Sequence, residues 1–247
     1  MLAVIGPGLI AGQGGNDAGG IWTYSVAGAR FGYTLLWAMI PTTIALIVVQ
    51  EMAARMGAVT GKGLSDLIRE QFGFRVTFLL MAALVATNFG NVMAEFAGVA
   101  SSLELFGVSR YIVVPLAAAA VWLLVVKGTY NSVERIFLVS SLVYVCYVFA
   151  AVLAHPDWKA AAFATVTRPE TAGTGRYRYL YVYTLIGLVG TTIAPWMQFY
   201  LQASVVEKGV TAKQFRMARW DVIVGSLAAT GIAWFIIVAC AATLHRA

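Results

Sequence analysis

The chain has 247 residues, of which 60% are hydrophobic and 11% are charged, and its mean hydropathy is +0.80. A soluble domain carries about 25% charged residues, so this composition excludes an ordinary soluble protein and predicts a polytopic membrane protein. The net charge of +6 comes without a stretch of interleaved basic and aromatic residues, and we expect no nucleic-acid partner. Cys146 and Cys240 stand singly in apolar runs, and we interpret them as buried small residues.

Windows of about 20 apolar residues, bounded by charges or turn residues, predict seven membrane spans. They cover residues 3–28, 33–54, 75–105, 110–126, 133–154, 178–206 and 218–243. The link 55–75 predicts a short amphipathic helix at the membrane interface. The link 155–177 contains Pro, Thr and Gly and predicts a solvated extracellular loop.

The positions of Lys and Arg predict the orientation of these spans. The links on one side hold Arg55, Lys62, Arg69, Arg75, Lys127, Arg135, Lys208, Lys213, Arg216 and Arg219. The links on the other side hold Arg30, Arg110, Lys159, Arg168, Arg176, Arg178 and Arg246. The positive-inside rule gives most weight to short loops, so we expect the first set and the N-terminus to be cytoplasmic, in a plasma membrane.

Asp17 stands in the middle of an uncharged apolar segment, within the glycine-rich run 14–20. A carboxylate at bilayer depth is costly and is rarely found there without an ion, a proton or a partner. The flanking glycines allow the backbone to unwind and to turn its carbonyl groups toward one point. The segment therefore predicts a cation site at a break in the first span.

The sixth span also predicts a break, because Pro195 removes a backbone donor and Gly187 and Gly190 weaken the preceding helix. Taken alone, Pro195 is more typical of a simple kink in an ordinary membrane helix. Breaks in the first and sixth spans are offset by five spans, the pattern of two inverted five-helix repeats. We expect one transmembrane domain over 1–247, with a first repeat at 1–154 and an incomplete second repeat at 178–247. A transporter of this kind needs at least ten spans, so we expect the chain to be part of a longer protein.

Other polar residues at apparent bilayer depth have two interpretations each. Glu95 predicts either a proton or ion relay or a hydrogen bond to another helix. Asn88 and Asn91 predict a water pathway or helix packing. Gln198 and Gln202 follow the sixth-span break and either meet the water shell of an ion or pack closely. Two acidic residues near span ends are expected at the membrane interface: Glu51 and Asp221.

Together these residues resemble the Nramp family of divalent metal transporters, and the resemblance covers nearly the whole chain. The matching segments are 6–8, 17–20, 28–37, 94–96, 133–135 and 191–195. The resemblance implies an all-α polytopic membrane protein, a LeuT-like inverted-repeat helical bundle with broken helices 1 and 6. Here that bundle is truncated to about seven transmembrane helices.

The chain departs from the family at its ligand positions. The first-span motif of the family is Asp-Pro-Gly-Asn, and here Gly20 replaces the Asn ligand. The sixth-span motif is Met-Pro-His, and here Ala194 replaces the Met ligand and Trp196 the His. The metal-site residues implied by the resemblance are Asp17, Gly20, Thr191 and Ala194. The transport-pathway candidates are Asn88, Asn91, Glu95, Trp196, Gln198 and Gln202.

Loss of the Met sulfur removes a soft ligand that favours transition metals over magnesium. Gly20 and Ala194 are also expected to leave a wider cavity than Asn and Met. Magnesium keeps several waters and binds through one or two carboxylates, so these features resemble the Nramp-related magnesium transporters. We expect a secondary transporter that imports partly hydrated Mg²⁺, and also Mn²⁺, as a monomer in the lipid bilayer and without a resident cofactor. The alternative is a proton-coupled Mn²⁺ or Fe²⁺ importer.

Proton coupling is not expected, because the sixth-span His is absent and Asn88 and Asn91 stand near the positions of expected acids. Two other classes remain as alternatives. Asp17 and Glu95 could form an aspartyl pair of an intramembrane enzyme, although we expect no enzymatic activity. A non-transporting sensor or partner subunit could also retain the fold.

Overall fold

The computed structural model describes residues 6–128, 136, 139–168 and 174–245, and all regular secondary structure within them is helical. The helices are α1 (Pro7–Gln13), α2 (Ala18–Phe31), α3 (Met39–Thr60), α4 (Leu64–Glu104), α5 (Arg110–Lys127), α6 (Val145–Leu153), α7 (Trp158–Val166), α8 (Gly175–Thr192), α9 (Pro195–Glu207) and α10 (Phe215–Leu244). The all-α prediction is confirmed. The family-like segment 133–135 and Arg246 lie outside the described residues.

Five stretches of the described chain are long and apolar enough to cross a membrane. They are Leu36–Thr60, Leu64–Glu104, Arg110–Lys127, Gly175–Glu207 and Phe215–Leu244. A sixth is added if Val139–Leu153 and Trp158–Val166, which are bent by 116°, form one span. The predicted first span is not among them, because its break leaves α1 with seven residues and α2 with 14.

The break in the first span lies between α1 and α2. Pro7 occupies the first turn of α1, where a missing N–H is tolerated and φ is already helical. The chain then tightens into a 3₁₀ turn at Gly14–Asn16 and becomes extended at Asp17, with φ −67° and ψ 177°. The Asp17 side chain caps α2 by accepting a hydrogen bond from the Gly20 amide at 2.6 Å. The predicted break therefore ends at the predicted ion ligand.

The break in the sixth span is an interruption rather than a kink in a continuous helix. α8 ends at Thr192, and Ile193 and Ala194 have non-helical backbone angles. Pro195 then starts α9 at its first position, as its fixed φ favours. Half-helix ends of this kind leave amide and carbonyl groups available inside a membrane protein.

The two breaks contact each other. A Cβ on Gly15 would lie 3.2 Å from the carbonyl oxygen of Thr191, so a side chain there would push the Thr191 backbone away by a few tenths of an ångström. The Thr192 hydroxyl donates to the Leu188 carbonyl at 2.7 Å and accepts from the Tyr24 hydroxyl at 2.8 Å. This chain of hydrogen bonds ties α2 to the end of α8 beside the break.

Helix α10 supports both halves of the broken first span. A Cβ on Gly225 would lie 2.4 Å from the Gly8 carbonyl oxygen, and one on Gly8 would lie 2.6 Å from the Val222 nitrogen. Farther along, a Cβ on Gly28 would lie 2.3 Å from the Ile237 carbonyl oxygen. Small residues allow membrane helices to approach this closely, so α1 and α2 both rest directly on the α10 backbone.

Three sequence expectations need correction or refinement. The 155–177 loop contains helix α7, capped by Asp157, and its Ala161 is fully buried, so the segment is not simply a solvated loop. Cys146 is exposed and Cys240 half-buried, so the prediction that both are buried is wrong. The short helix predicted within 55–75 is present as the start of α4, before non-helical angles at Gly73.

We predict that Gly225→Ala destabilises the protein, because its methyl group has no room against the α1 backbone. Overpacking of this kind costs about 1–3 kcal/mol. The matched control is Gly231→Ala on the same helix, where an added Cβ meets no heavy atom within 4 Å. Thermal unfolding in detergent should show a lower midpoint for Gly225→Ala alone. Equal midpoints for the two variants would contradict the close crossing.

Candidate metal centre

Asp17 lies where the first turn of α2 opens. The backbone amides of Gly19 and Gly20 face its carboxylate, and the bond from Gly20 is 2.6 Å long. The N-terminus of a helix carries partial positive charge, so an anionic side chain is favoured there. The residue is only partly buried. Asp17 can therefore serve as a helix cap while its carboxylate remains accessible to an ion.

Glu95 on α4 reaches the same turn. Its Oε1 accepts a hydrogen bond from the Ala18 amide at 2.9 Å. The sequence predicted either a relay or a hydrogen bond to another helix for Glu95. The structure contains such a hydrogen bond, and its donor is a backbone amide rather than a side chain. The Asp17 charge acts on Glu95 across this turn. Two nearby carboxylates repel each other, and a divalent cation between them would offset that repulsion.

A central cavity of about 410 Å³ adjoins this pair of carboxylates. Asp17 and Glu95 line it together with Asn88, Asn91 and Trp196. Four of the six predicted pathway residues therefore share one cavity with the predicted ligand. Its polar groups are amides and carboxylates, which offer oxygen atoms to a cation or to its waters.

A larger cavity of about 830 Å³ lies between α2 and α4 and is lined by the same two carboxylates. Asp17, Glu95 and Tyr144 line both cavities, and the larger one extends to Trp22 and Ser102. The carboxylate pair therefore stands at the boundary between two solvent-sized spaces. An ion that passed from one to the other would pass these side chains.

The expectation that Gly20 widens the site is wrong. A Cβ at this position would lie 2.0 Å from the carbonyl oxygen of Gly15, so the backbone itself fills the space. Gly20 contributes an N–H donor to Asp17 rather than a ligand atom. Among the described residues that line the two cavities, neither Thr191 nor Ala194 occurs. Thr191 reaches the break through its carbonyl group beside Gly15.

The two glutamines have other contacts. Gln202 is fully buried and donates from Nε2 to the Lys62 carbonyl at 2.8 Å, which ties α9 to the link before α4. The Gln198 amide nitrogen can donate to the carbonyl oxygens of Ala194 and Pro195, at 2.7 and 2.8 Å. Within the described structure neither residue lines the cavities around Asp17. Their contacts stabilise the break and the link.

The sequence predicted that Asp221 lies at the membrane interface, and this prediction is wrong because the residue is buried. It is 5% exposed, and its Oδ2 accepts from the amides of Gly6 at 3.1 Å and Gly8 at 2.7 Å. It therefore caps α1 from a distant helix, since a half-helix in an apolar setting needs an acceptor for its free amides. The sequence held no local signal for this role, since Asp221 and Gly8 are 213 residues apart. Glu51, by contrast, pairs with Arg55 and Arg219 at 2.6 and 3.5 Å.

Across the described residues, no group of three or more His, Cys, Asp or Glu side chains could hold a metal ion. The centre therefore offers two carboxylates with surrounding amide and carbonyl groups. Such a donor set is hard and oxygen-rich, and it suits magnesium, calcium or manganese better than softer metals.

A model of the family described as natural resistance-associated macrophage protein-like matches residues 8–247. The chain belongs to the Nramp family. It is 32% identical to the divalent metal cation transporter MntH of Ralstonia nicotianae, covering 99% of this chain and 57% of that protein. The MntH of Deinococcus radiodurans is 29% identical, with the same shares covered.

The fold is similar to that of a solved transporter structure. The manganese transporter of Eremococcus coleocola matches with a TM-score of 0.83 at 22% identity, covering 98% of this chain and 51% of that one. The LeuT-like fold predicted from the motifs is thereby confirmed. The chain spans about half the length of the curated relatives that it matches.

Proposed function

We propose that this chain belongs to a plasma-membrane transporter that imports divalent metal ions by alternating access, with its N-terminus in the cytoplasm and as a monomer. The observation that carries the proposal is the placement of Asp17 and Glu95 at a helix break between two cavities. Relatives bearing the name divalent metal cation transporter support it. Their names are those of transporters, which argues against the intramembrane enzyme.

We further propose that the preferred ion is partly hydrated Mg²⁺. The central cavity of about 410 Å³ is large enough for an ion with its water shell. One water takes about 30 Å³ of liquid volume, so the space corresponds to roughly a dozen waters. Asn88 and Asn91 can accept hydrogen bonds from those waters, while Asp17 supplies the carboxylate that magnesium requires.

The second candidate is a manganese or iron importer with the same fold. It is favoured by the name of the Eremococcus coleocola structure, a manganese transporter. A site built from oxygen atoms separates Mn²⁺ from Mg²⁺ poorly, so manganese passes in either case. In this proposal, the residue type at position 194, where the family has a sulfur ligand and this chain has Ala, sets how strongly the transporter prefers transition metals.

We predict that Asp17→Asn and Asp17→Ala both abolish Mg²⁺ uptake but differ in stability. Asn keeps a side-chain oxygen that accepts the hydrogen bond from the Gly20 amide. Ala loses this helix cap, which lowers the free energy of unfolding by about 0.5–2 kcal/mol. Flux into liposomes and thermal unfolding should be measured on the same preparations. Wild-type Mg²⁺ flux in Asp17→Asn would remove the carboxylate from the proposed mechanism.

We predict that Ala194→Met shifts the preference toward Mn²⁺, because it restores a soft sulfur at the start of α9. Competition between Mn²⁺ and Mg²⁺ in the flux assay measures the shift. Ala194→Leu is the matched control, since it adds similar bulk without sulfur. An equal shift in both variants would assign the effect to cavity size.

We predict that metal uptake is not coupled to protons. Inward movement of a divalent ion gains about 4.6 kcal/mol per 100 mV, which is twice the value for one charge. The membrane potential alone can therefore drive uptake. A pH dye inside the liposomes should report no acidification during flux, and acidification in proportion to metal entry would refute uncoupled transport.

A further inference from the structure

Gly14 and Trp196 are in direct contact across the two breaks. A Cβ on Gly14 would lie 2.6 Å from Cη2 and 2.8 Å from Cζ2 of the Trp196 indole. The backbone does not require glycine here, since Gly14 has the ordinary helical angles φ −59° and ψ −20°. The lack of a side chain at position 14 is therefore explained by the indole ring that lies against it.

This contact separates two cavities. Beyond the central cavity lies a third space of about 320 Å³, the α1–α9 cavity, which Ile10 and Tyr200 line. Four residues line both the central cavity and the α1–α9 cavity: Gln13, Gly14, Tyr144 and Trp196. The larger cavity adjoins the central cavity at Asp17, and the central cavity adjoins the α1–α9 cavity at the Trp196 indole.

The position of Trp196 in the chain suits a movable partition. It is the second residue of α9, directly after the extended residue Ala194 and Pro195. Its ring packs edge-on against Tyr200 one turn later, with centroids 6.4 Å apart. Its far edge lies against the Gly14 backbone, and the residue as a whole is half-buried. A rotation of the side chain or of the start of α9 would therefore open the partition without disturbing a packed core.

We propose that Trp196, seated on Gly14, is a gate that closes the ion cavity of Asp17 on the side of the α1–α9 cavity. The proposal rests on the transport function proposed above, because it assigns a step of access to that site. Closure needs both partners: an indole large enough to fill the partition and a residue small enough to receive it. When the ring leaves Gly14, the central and α1–α9 cavities join.

The test measures access to the central cavity without measuring transport. Asn91→Cys places a thiol in that cavity, in a background with Cys146→Ala and Cys240→Ala. A charged, membrane-impermeant methanethiosulfonate reagent is added separately to each side of liposomes that contain the protein in one orientation. We expect Trp196→Ala to raise the rate of modification several-fold from one side alone.

The second partner supplies a double-mutant test. Gly14→Ala should also raise the rate from that side, because its methyl group displaces the ring. The far edge of an indole can shift, so we expect this variant to fold. The double variant should be no faster than Trp196→Ala, since coupled residues do not act additively. Trp196→Phe should give an intermediate rate.

Gly190→Ala is the matched control, because a Cβ there meets no heavy atom within 4 Å and the rate should not change. Unchanged modification in both Trp196→Ala and Gly14→Ala, or additive effects in the double variant, would overturn the gate. The readout does not require metal. If the Trp196 and Gly14 variants changed the modification rate as expected while Asp17→Ala retained Mg²⁺ flux, the proposed ion site would be rejected and the gate would stand.

Discussion

The structure depends on how the free amides of two interrupted helices are satisfied away from water. In lipid, an unpaired backbone N–H has no solvent to replace its partner, so each break needs an acceptor supplied by the protein. Asp221 meets this need for α1, and Asp17 and Glu95 meet it for α2. All three are carboxylates because a helix N-terminus attracts negative charge.

The same requirement places the residues of the proposed ion site. Two carboxylates drawn to the first turn of α2 leave excess negative charge at the boundary of two cavities. A divalent cation compensates that charge without removing the caps, since each carboxylate has two oxygens. Helix α10 supports the break, because its Gly225 allows α1 to lie against the α10 backbone.

The departures from the Nramp motifs alter this centre in two ways. Ala194 stands where the family has a Met ligand, so this position offers no sulfur to the proposed site. Gly20 leaves no extra space, because the Gly15 carbonyl occupies the place of the missing side chain. The space for the proposed hydrated ion is instead the cavity beside Asn88 and Asn91. At the position of the family His, Trp196 supplies bulk in place of a titratable group.

Sequence alone determined the apolar helices, both breaks and the position of Asp17 at the first break, because hydropathy, glycine and proline act locally along the chain. It could not decide the role of Asp221, whose partner Gly8 is 213 residues away. It also could not show that the Gly15 carbonyl group fills the space beside Gly20, or that Gln202 donates a hydrogen bond to the Lys62 carbonyl. Those outcomes depend on which distant backbone atoms meet, and only the packing of the helices decides that.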